Sequence, residues 1–548
     1  MFGKTNSAIL LVLCSSFVSI VMATSPPNTS VLNSSKTIQA KELKSTLYFL
    51  ASDEMQGREI NTLSNKVASS YMAHRFEKMG LKPVLKDSYY QYFHLAQGKL
   101  LENNQLAIRR ANSSLSTVAI LSTNYFPSHL SANGDITAPL VFAGYGISAP
   151  EYAYDDYDGL DVEGKVVLVL EGEPNARDPE SRFEGLLDTQ HSEEFRKILN
   201  AQAHGAVGLI IAHSSLRGSG NRGFSRRARS VWPANQEQAQ YALEVWIDLV
   251  KIPVVHTSEG FTRVVLRDSI LGLQDVQRKI DEEDPLYKSP VLDSEVTLET
   301  AIVRNRTPLR NVLAYISGSD PTLKDEWIIV SAHFDHVGVH DGQIFNGADD
   351  NASGMVALLE IAEAFALANE QPRRSVIFAA WNAEEYGLLG SWYYTAHPPH
   401  PLEKTTALFQ MDMIGRNEEI PDPGNHRFRG LEKQSATENT NSLHLLGYSR
   451  SQDLQSLVTA QNEQIGLNLK LQYDQNPSNL LRRSDNWPFL VSNVPSLFFH
   501  TGLHPDYHQA TDTADKINYE KLEKITRLIF LCAWQAADTL TPIQLDSR

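Results

Sequence analysis

The sequence predicts an α/β protein: a mainly parallel mixed sheet flanked by helices, with a β-rich module inserted ahead of the larger part of that sheet. Three observations carry this expectation. From Asn311 onward, apolar strand-like runs alternate with helix-like stretches, the rhythm of a parallel sheet covered on both faces. From about Ile136 to Pro285, short and fully apolar runs of strand length dominate instead. Finally, 548 residues exceed the size at which one hydrophobic core stops growing, so more than one domain is expected.

Residues 1–23 read as a secretory leader, because Lys4 precedes an apolar run from Ala8 to Val21 and Ala23 supplies a small residue at a cleavage point. The mature chain is expected to begin near Thr24, in a periplasm or outside the cell. A membrane anchor is the competing reading, but Cys14, Ser15, Ser16 and Ser19 interrupt the run and it falls short of a bilayer span. A lipidated Cys14 is disfavoured by the bulky Leu13 before it. Losing Lys4 takes the formal net charge from −16 to −17, and losing Cys14 leaves Cys532 alone, so no intramolecular disulfide is expected. Cys532 falls in an apolar helical pattern and reads as a buried, inert thiol. The strong acidity argues against nucleic acid or an anionic membrane as a partner, and no membrane span is expected once the leader is gone.

Residues 24–130 are expected to form the first part of the main domain. Within them 40–50 and 65–79 carry helical apolar spacing, the second stopping at Gly80. Residues 131–285 are expected to form the insert, with strands at 139–143, 165–170, 205–212 and 252–256 and a helix at 192–204. Residues 217–229, rich in Gly, Ser and Arg, read as an exposed loop, with a grip on a substrate carboxylate as the sharper alternative. Residues 286–548 are expected to complete the main domain. Strands are expected at 327–331, 375–380, 407–411 and 496–500, helices at 354–368, 388–396 and 519–540, and an extended polar segment at 415–443.

Five short motifs place metal-binding side chains just after these strands or in loops, where open sheets collect ligands. His333 and Asp335 follow the strand 327–331; the histidine offers a ligand and the aspartate a partner for its other ring nitrogen. Asp349 and Asp350 precede Asn351-Ala-Ser-Gly354 and a helix, where a carboxylate can bridge two cations or simply cap the helix. Glu384 and Glu385 follow a strand and cannot point the same way, which suits one ligand and one general base. Asp412 interrupts an apolar strand, and a buried carboxylate is costly unless paired or coordinated. His508 is offered as the last ligand, with His500, His504 and Asp506 nearby, and chemistry alone does not choose among the histidines.

In this order the motifs resemble the two-zinc aminopeptidase family that includes bacterial leucyl aminopeptidases, yeast aminopeptidase Y and the glutamate carboxypeptidases. The resemblance implies two zinc ions held by His333, Asp350, Asp412, Glu385 and His508. Asp350 is selected over Asp349 because it directly precedes the Asn351-to-Gly354 run, and it bridges both ions. Glu384 is the implied general base and Asp335 the implied partner of His333. Ala143-Gly-Tyr-Gly146, Gly164-to-Leu170 and Gly205-to-Leu209 resemble the protease-associated domain inserted in several of these enzymes. Ser484-Asp485-Asn486 departs from the family, which commonly has His where this chain has Asn486, so no metal role falls to Asn486.

The expected activity is hydrolysis of the N-terminal peptide bond of peptides with a free N-terminus. A glutamate-type carboxypeptidase is the nearest alternative; it must grip a free carboxylate, and the sequence shows no basic cluster beside the metal motifs other than the Arg-rich stretch. A one-zinc glutaminyl cyclase and an inactive receptor ectodomain are further alternatives, the latter opposed by the five filled ligand positions.

Overall fold

The computed structural model describes residues 29–546 apart from 112, 177, 214–219, 236–238, 267–272, 283–288 and 290–291, so the leader at 1–23 lies outside the described residues. At the centre of the main domain, Ser375–Trp381, Trp327–His333, Thr405–Met411 and Ser496–His500 lie side by side and parallel. Every residue of these strands is buried, as expected of a parallel sheet covered on both faces. Successive residues alternate between two cores. Ile328, Val330 and Ala332 pack with the helices Ala40–Leu50, Gly354–Ala366 and Tyr519–Asp538. Trp327 and Ile329 face the opposite side with Tyr394 and Phe489.

Antiparallel strands flank this core. Ile302–Ile316 pairs with Ser375–Trp381 and with Tyr90–Leu100 on one side, and Ser442–Leu446 pairs with Ser496–His500 on the other. The sheet is therefore mixed, with its parallel portion in the middle. Cys532 sits in the first core, and burial raises its thiol out of reach of ionisation.

A second sheet forms the inserted module. Its order is Ser116–Val118, Gln105–Arg110, Ser294–Thr300, Gly134–Phe142, Val166–Leu170, Gly208–Ala212, Val254–Thr257 and Tyr125–Pro127. This sheet reaches past the expected limits of 131 and 285 on both sides. Within the expected limits the clearest signals belong to the fully buried Val166–Leu170, Gly208–Ala212 and Val254–Thr257. The sequence also predicts a short β-like run at 117–121, there assigned to the first part of the main domain; the structure places Ser116–Val118 in this sheet instead. The module also returns a strand, since Tyr241–Leu243 pairs with Tyr90–Leu100 in the main sheet.

The expected loop at 217–229 is corrected where it is described: Gly220–Val231 is a helix. Phe224, Ala228 and Val231 recur at helical spacing and are buried, Phe224 lying 5.0 Å from the Phe126 ring. The Gly and Ser content concealed that stripe. Arg227 ion-pairs with Glu171 of the same module.

Candidate metal centre

The parallel strands deliver the motif residues to one edge. His333 ends its strand, Glu384 and Glu385 follow Ser375–Trp381, Asp412 follows Thr405–Met411, and His508 lies beyond Ser496–His500. Asp350 sits in an irregular turn entering the helix Gly354–Ala366, and its peptide bond to Asn351 is cis. The neighbouring small residues have a steric reason. A Cβ on Gly354 would lie 2.4 Å from Asn351 Oδ1 and 2.7 Å from the Met411 carbonyl oxygen. Asn351 uses that closeness, donating to the Met411 carbonyl at 2.9 Å and accepting from Gly354 N–H at 2.9 Å.

Asp350 stands between two sets of ligand atoms. Its Oδ1 is 3.5 Å from His333 Nε2, which also lies 3.4 Å from Asp412 Oδ1. Its Oδ2 is 3.0 Å from His508 Nε2, which also lies 3.0 Å from Glu385 Oε2. Around a tetrahedral zinc, ligand atoms about 2 Å from the ion stand roughly 3.3 Å apart, so these separations suit one ion in each set. His333 Nε2, Asp412 Oδ1 and His508 Nε2 are buried without a hydrogen-bond partner, a costly state that a cation would relieve. Two imidazoles and three carboxylates form a donor set that fits zinc. Among the described residues the atoms able to ligate fall into two groups, His333, Glu384 and Asp412 in one and His336, Asp350, Glu385 and His508 in the other.

The surroundings separate the adjacent glutamates. Glu385 Oε1 lies 2.6 Å from His336 Nδ1. Burial opposes its charge, but His508 and His336 hold its carboxyl well below the usual range. In turn, burial works against a charged His508, while Glu385 and Asp350 push it up to about 11. Glu384 responds oppositely: burial raises it well above the carboxylate range, His333 opposes, and Asp412, Glu385 and Asp485 add to the rise.

Asp335 does not use its carboxylate on His333. His333 Nδ1 is 3.2 Å from the Asp335 backbone carbonyl and 3.9 Å from its side-chain oxygen. The carboxylate instead accepts from the backbone N–H groups of Glu384 and Glu385 at 3.1 and 3.3 Å. The two amides that converge in the next strand's loop offer it more than one ring nitrogen would. Asp335 thus fixes the imidazole through its main chain and the glutamate loop through its side chain.

The other candidates occupy supporting places. Asp349 accepts from Gly415 N–H at 2.6 Å, and His504 Nε2 lies 3.2 Å from its second oxygen. His500 Nδ1 meets the Asp412 backbone carbonyl at 3.0 Å. Asn486 donates to the Leu481 carbonyl at 3.0 Å. Ser484 donates to Asp412 Oδ2 at 2.7 Å, and Asp485 accepts from Ser391 at 2.6 Å. Sequence reasoning gave no role to His336, Ser484 or Asp512, which accepts from the backbone N–H groups of Asp349 and Asp350. For His336 the signal was adjacency to His333; the other two carried none.

Beside these residues a cleft of about 360 Å³ opens, with Leu388, Met413, Leu480, Phe498, Leu503 and Tyr507 in its wall. Arg482 and Arg483 also line it, which corrects the expectation of no basic cluster beside the metal motifs other than the Arg-rich stretch. They directly precede Ser484-Asp485, between the Asp412 and His508 motifs, and reach the cleft wall with that segment. Arg482 is committed to the inserted module. It donates to the Asp188 carbonyl at 2.8 Å and to Glu193 at 2.9 Å, and its guanidinium lies 5.0 Å from the Trp487 ring. Arg483 is exposed and donates from Nε to the Ser478 carbonyl at 3.0 Å.

Comparison with known proteins agrees with this arrangement. Residues 311–533 match Peptidase family M28 and residues 136–260 match the PA domain. An aminopeptidase of Pseudomonas aeruginosa is 36% identical over 139 residues, 25% of this chain and 23% of that protein. Leucine aminopeptidase 2 of Arthroderma otae is 26% identical over 276 residues, 46% of this chain and 50% of that protein. The chain thus spans between about a quarter and a half of the length of these curated relatives. A solved aminopeptidase from Aneurinibacillus sp. strain AM-1 overlaps 94% of this chain and 98% of its own, at 20% identity and a TM-score of 0.47. The motif residues gathered at the carboxyl ends of the parallel strands all fall within residues 311–533, the part of this chain that resembles peptidase family M28, and residues 136–260 resemble the PA domain.

Proposed function

We propose that the chain is an exported zinc aminopeptidase that removes the N-terminal residue from peptides by means of two zinc ions. The observation that carries the reading is Asp350, whose two oxygens address different histidines, His333 through Oδ1 and His508 through Oδ2. His333, Asp350 and Asp412 would hold one ion, and Asp350, Glu385 and His508 the other. When bound, such a pair polarises the scissile carbonyl and makes a water acidic enough to attack at neutral pH.

The chain's own residues supply the rest. Glu384 Oε2, 3.8 Å from His333 Nε2, is the general base; its raised proton affinity suits it to take a proton from water and return it to the leaving amine. Asp335 orients the main chain that carries it. Burial, with Asp350, Glu385 and Glu384 adding, keeps the Tyr507 phenol protonated, so it can donate to the oxyanion. The apolar cleft wall suits a bulky apolar N-terminal side chain, in keeping with the leucine aminopeptidase relatives.

One observation favours the carboxypeptidase alternative. The exposed Arg483 guanidinium on the cleft wall could receive a C-terminal carboxylate. Hydrolysis of Leu-Gly compared with N-acetyl-Leu-Gly tests the choice, alongside zinc per chain. The proposal expects two zinc ions and turnover of the free dipeptide only; preference for the acetylated one refutes it.

A further inference from the structure

We infer that Arg58 is a positioning residue that clasps the metal-bearing loops of this site at the spacing the ligands need. The inference rests on the zinc reading above and extends it to a residue outside the five motifs. Arg58 is fully buried, and its guanidinium hydrogen-bonds to main-chain carbonyls, not to carboxylates. Nε donates to Phe334 at 3.0 Å, directly after the ligand His333. One terminal nitrogen donates to Asn346 at 2.7 Å and to Leu50 at 2.6 Å, and the other donates to Gly347 at 2.9 Å. Asn346 and Gly347 lead into the turn that carries Asp350. One planar fork therefore joins the loops of two ligands that are distant from it in sequence.

A third loop is tied to the same residue through its backbone. Asn65 Nδ2 donates to both the Arg58 carbonyl and Asn382 Oδ1 at 3.0 Å, and Asn382 lies two residues before Glu384. The local chain is shaped for this task. Gln56, Gly57 and Arg58 are all left-handed, with φ of 42°, 64° and 52°. A Cβ on Gly57 would lie 2.3 Å from the Phe345 carbonyl oxygen, so the turn seats directly against the loop it holds. Non-glycine residues in this region are strained and persist where surrounding structure demands them. Burial lowers the Arg58 pKa to about 10, with Asp350, Asp512, Asp335 and Glu385 pulling upward, so the fork stays charged at neutral pH.

Lysine keeps the charge but lacks the fork, so Arg58→Lys isolates the geometry, and Arg58→Gln provides a second, uncharged test. Zinc affinity is read by competition with a chromophoric chelator, and the fold of the metal-free protein by circular dichroism. Arg58→Lys is expected to keep the fold and to bind zinc roughly 10- to 100-fold more weakly, the usual effect of losing a group that orients ligands. A merely structural arginine would lower metal-free stability without changing the affinity of the folded protein. Zinc affinity within about twofold of wild type in Arg58→Lys overturns the inference. So does loss of the metal-free fold in both variants, which would assign Arg58 to the core. A wild-type chain that binds no zinc sinks the functional reading and this inference together. A wild type loading two ions beside an unaffected Arg58→Lys sinks this inference alone.

Discussion

Replacing Glu384 and Glu385 one at a time by glutamine sets two chemically identical, adjacent residues against each other. Glu385 meets His336 Nδ1 at 2.6 Å through Oε1 and His508 Nε2 at 3.0 Å through Oε2. Interactions of this charged kind contribute about 1.5–3 kcal/mol each, and an amide can preserve part of one. Glu385→Gln should therefore lower metal-free stability by about 2–4 kcal/mol and remove one of the donors around His508, leaving one tightly held zinc. Glu384 instead adds its charge to those of Asp412, Glu385 and Asp485. Glu384→Gln relieves that repulsion, so the fold and both zinc ions should be retained. Loss of a general base lowers kcat by roughly 10²- to 10⁴-fold, about 3–5 kcal/mol in the barrier. Zinc per chain by atomic emission, denaturant unfolding of the chelated protein and hydrolysis of a leucine anilide read the three quantities. Loss of zinc from Glu384→Gln with full loading of Glu385→Gln would refute the division of labour. Retention of more than about a tenth of kcat in Glu384→Gln would remove its role as base.

Three further outcomes are expected. Ser484→Ala removes the 2.7 Å hydrogen bond to Asp412 Oδ2 and should weaken zinc binding by roughly 10-fold or more in a chelator competition, with little change in fold. Glu360 is pushed up to about 8 by burial first, then by Glu363 and Glu42, with Arg75 opposing. Its folded state keeps a proton that the unfolded chain releases above about pH 4.5, so stability is lost as pH rises from there through 8. Glu360→Gln should then stabilise the protein at pH 8 by up to about 4 kcal/mol and leave it unchanged below pH 4, as denaturant titrations at the two pH values would show. Glu193→Ala removes the carboxylate that both Arg482 and Trp487 share, leaving Arg482 only its bonds to Asp188 and Ser192 of the module, and should raise KM several-fold while leaving zinc content intact; an unchanged KM would separate the module from the cleft wall.

The legible parts of this protein were those with a strong local signature. The buried strands 327–333 and 405–411 are short apolar runs with a single permitted environment, and the placement of His333 and Asp412 at their carboxyl ends follows from the strand rule. The helix Gly220–Val231 was not legible because its stripe rests on three residues amid Gly, Ser and Arg. That the β-like run at 117–121 joins the module was not legible, and a half-exposed strand such as Ser294–Thr300 lacks a continuous apolar run. Arg58 reaches the Phe334 carbonyl and the ligand loops through tertiary folding across 276 positions. No local pattern announces such contacts. Asp335 shows the same limit within a motif: its identity is readable, but whether its carbonyl or its carboxylate meets the histidine depends on where the next loop presents its amides.

Leu100 and Ile302 face each other as antiparallel partners where the chain departs from the catalytic sheet and where it comes back. The whole intervening module hangs from a point that a tight hairpin turn could close. Both connections to the module thus leave from one end of a single antiparallel pair, so its hold on the main domain beyond that point rests on crossings such as those by Glu193 and the strand Tyr241–Leu243.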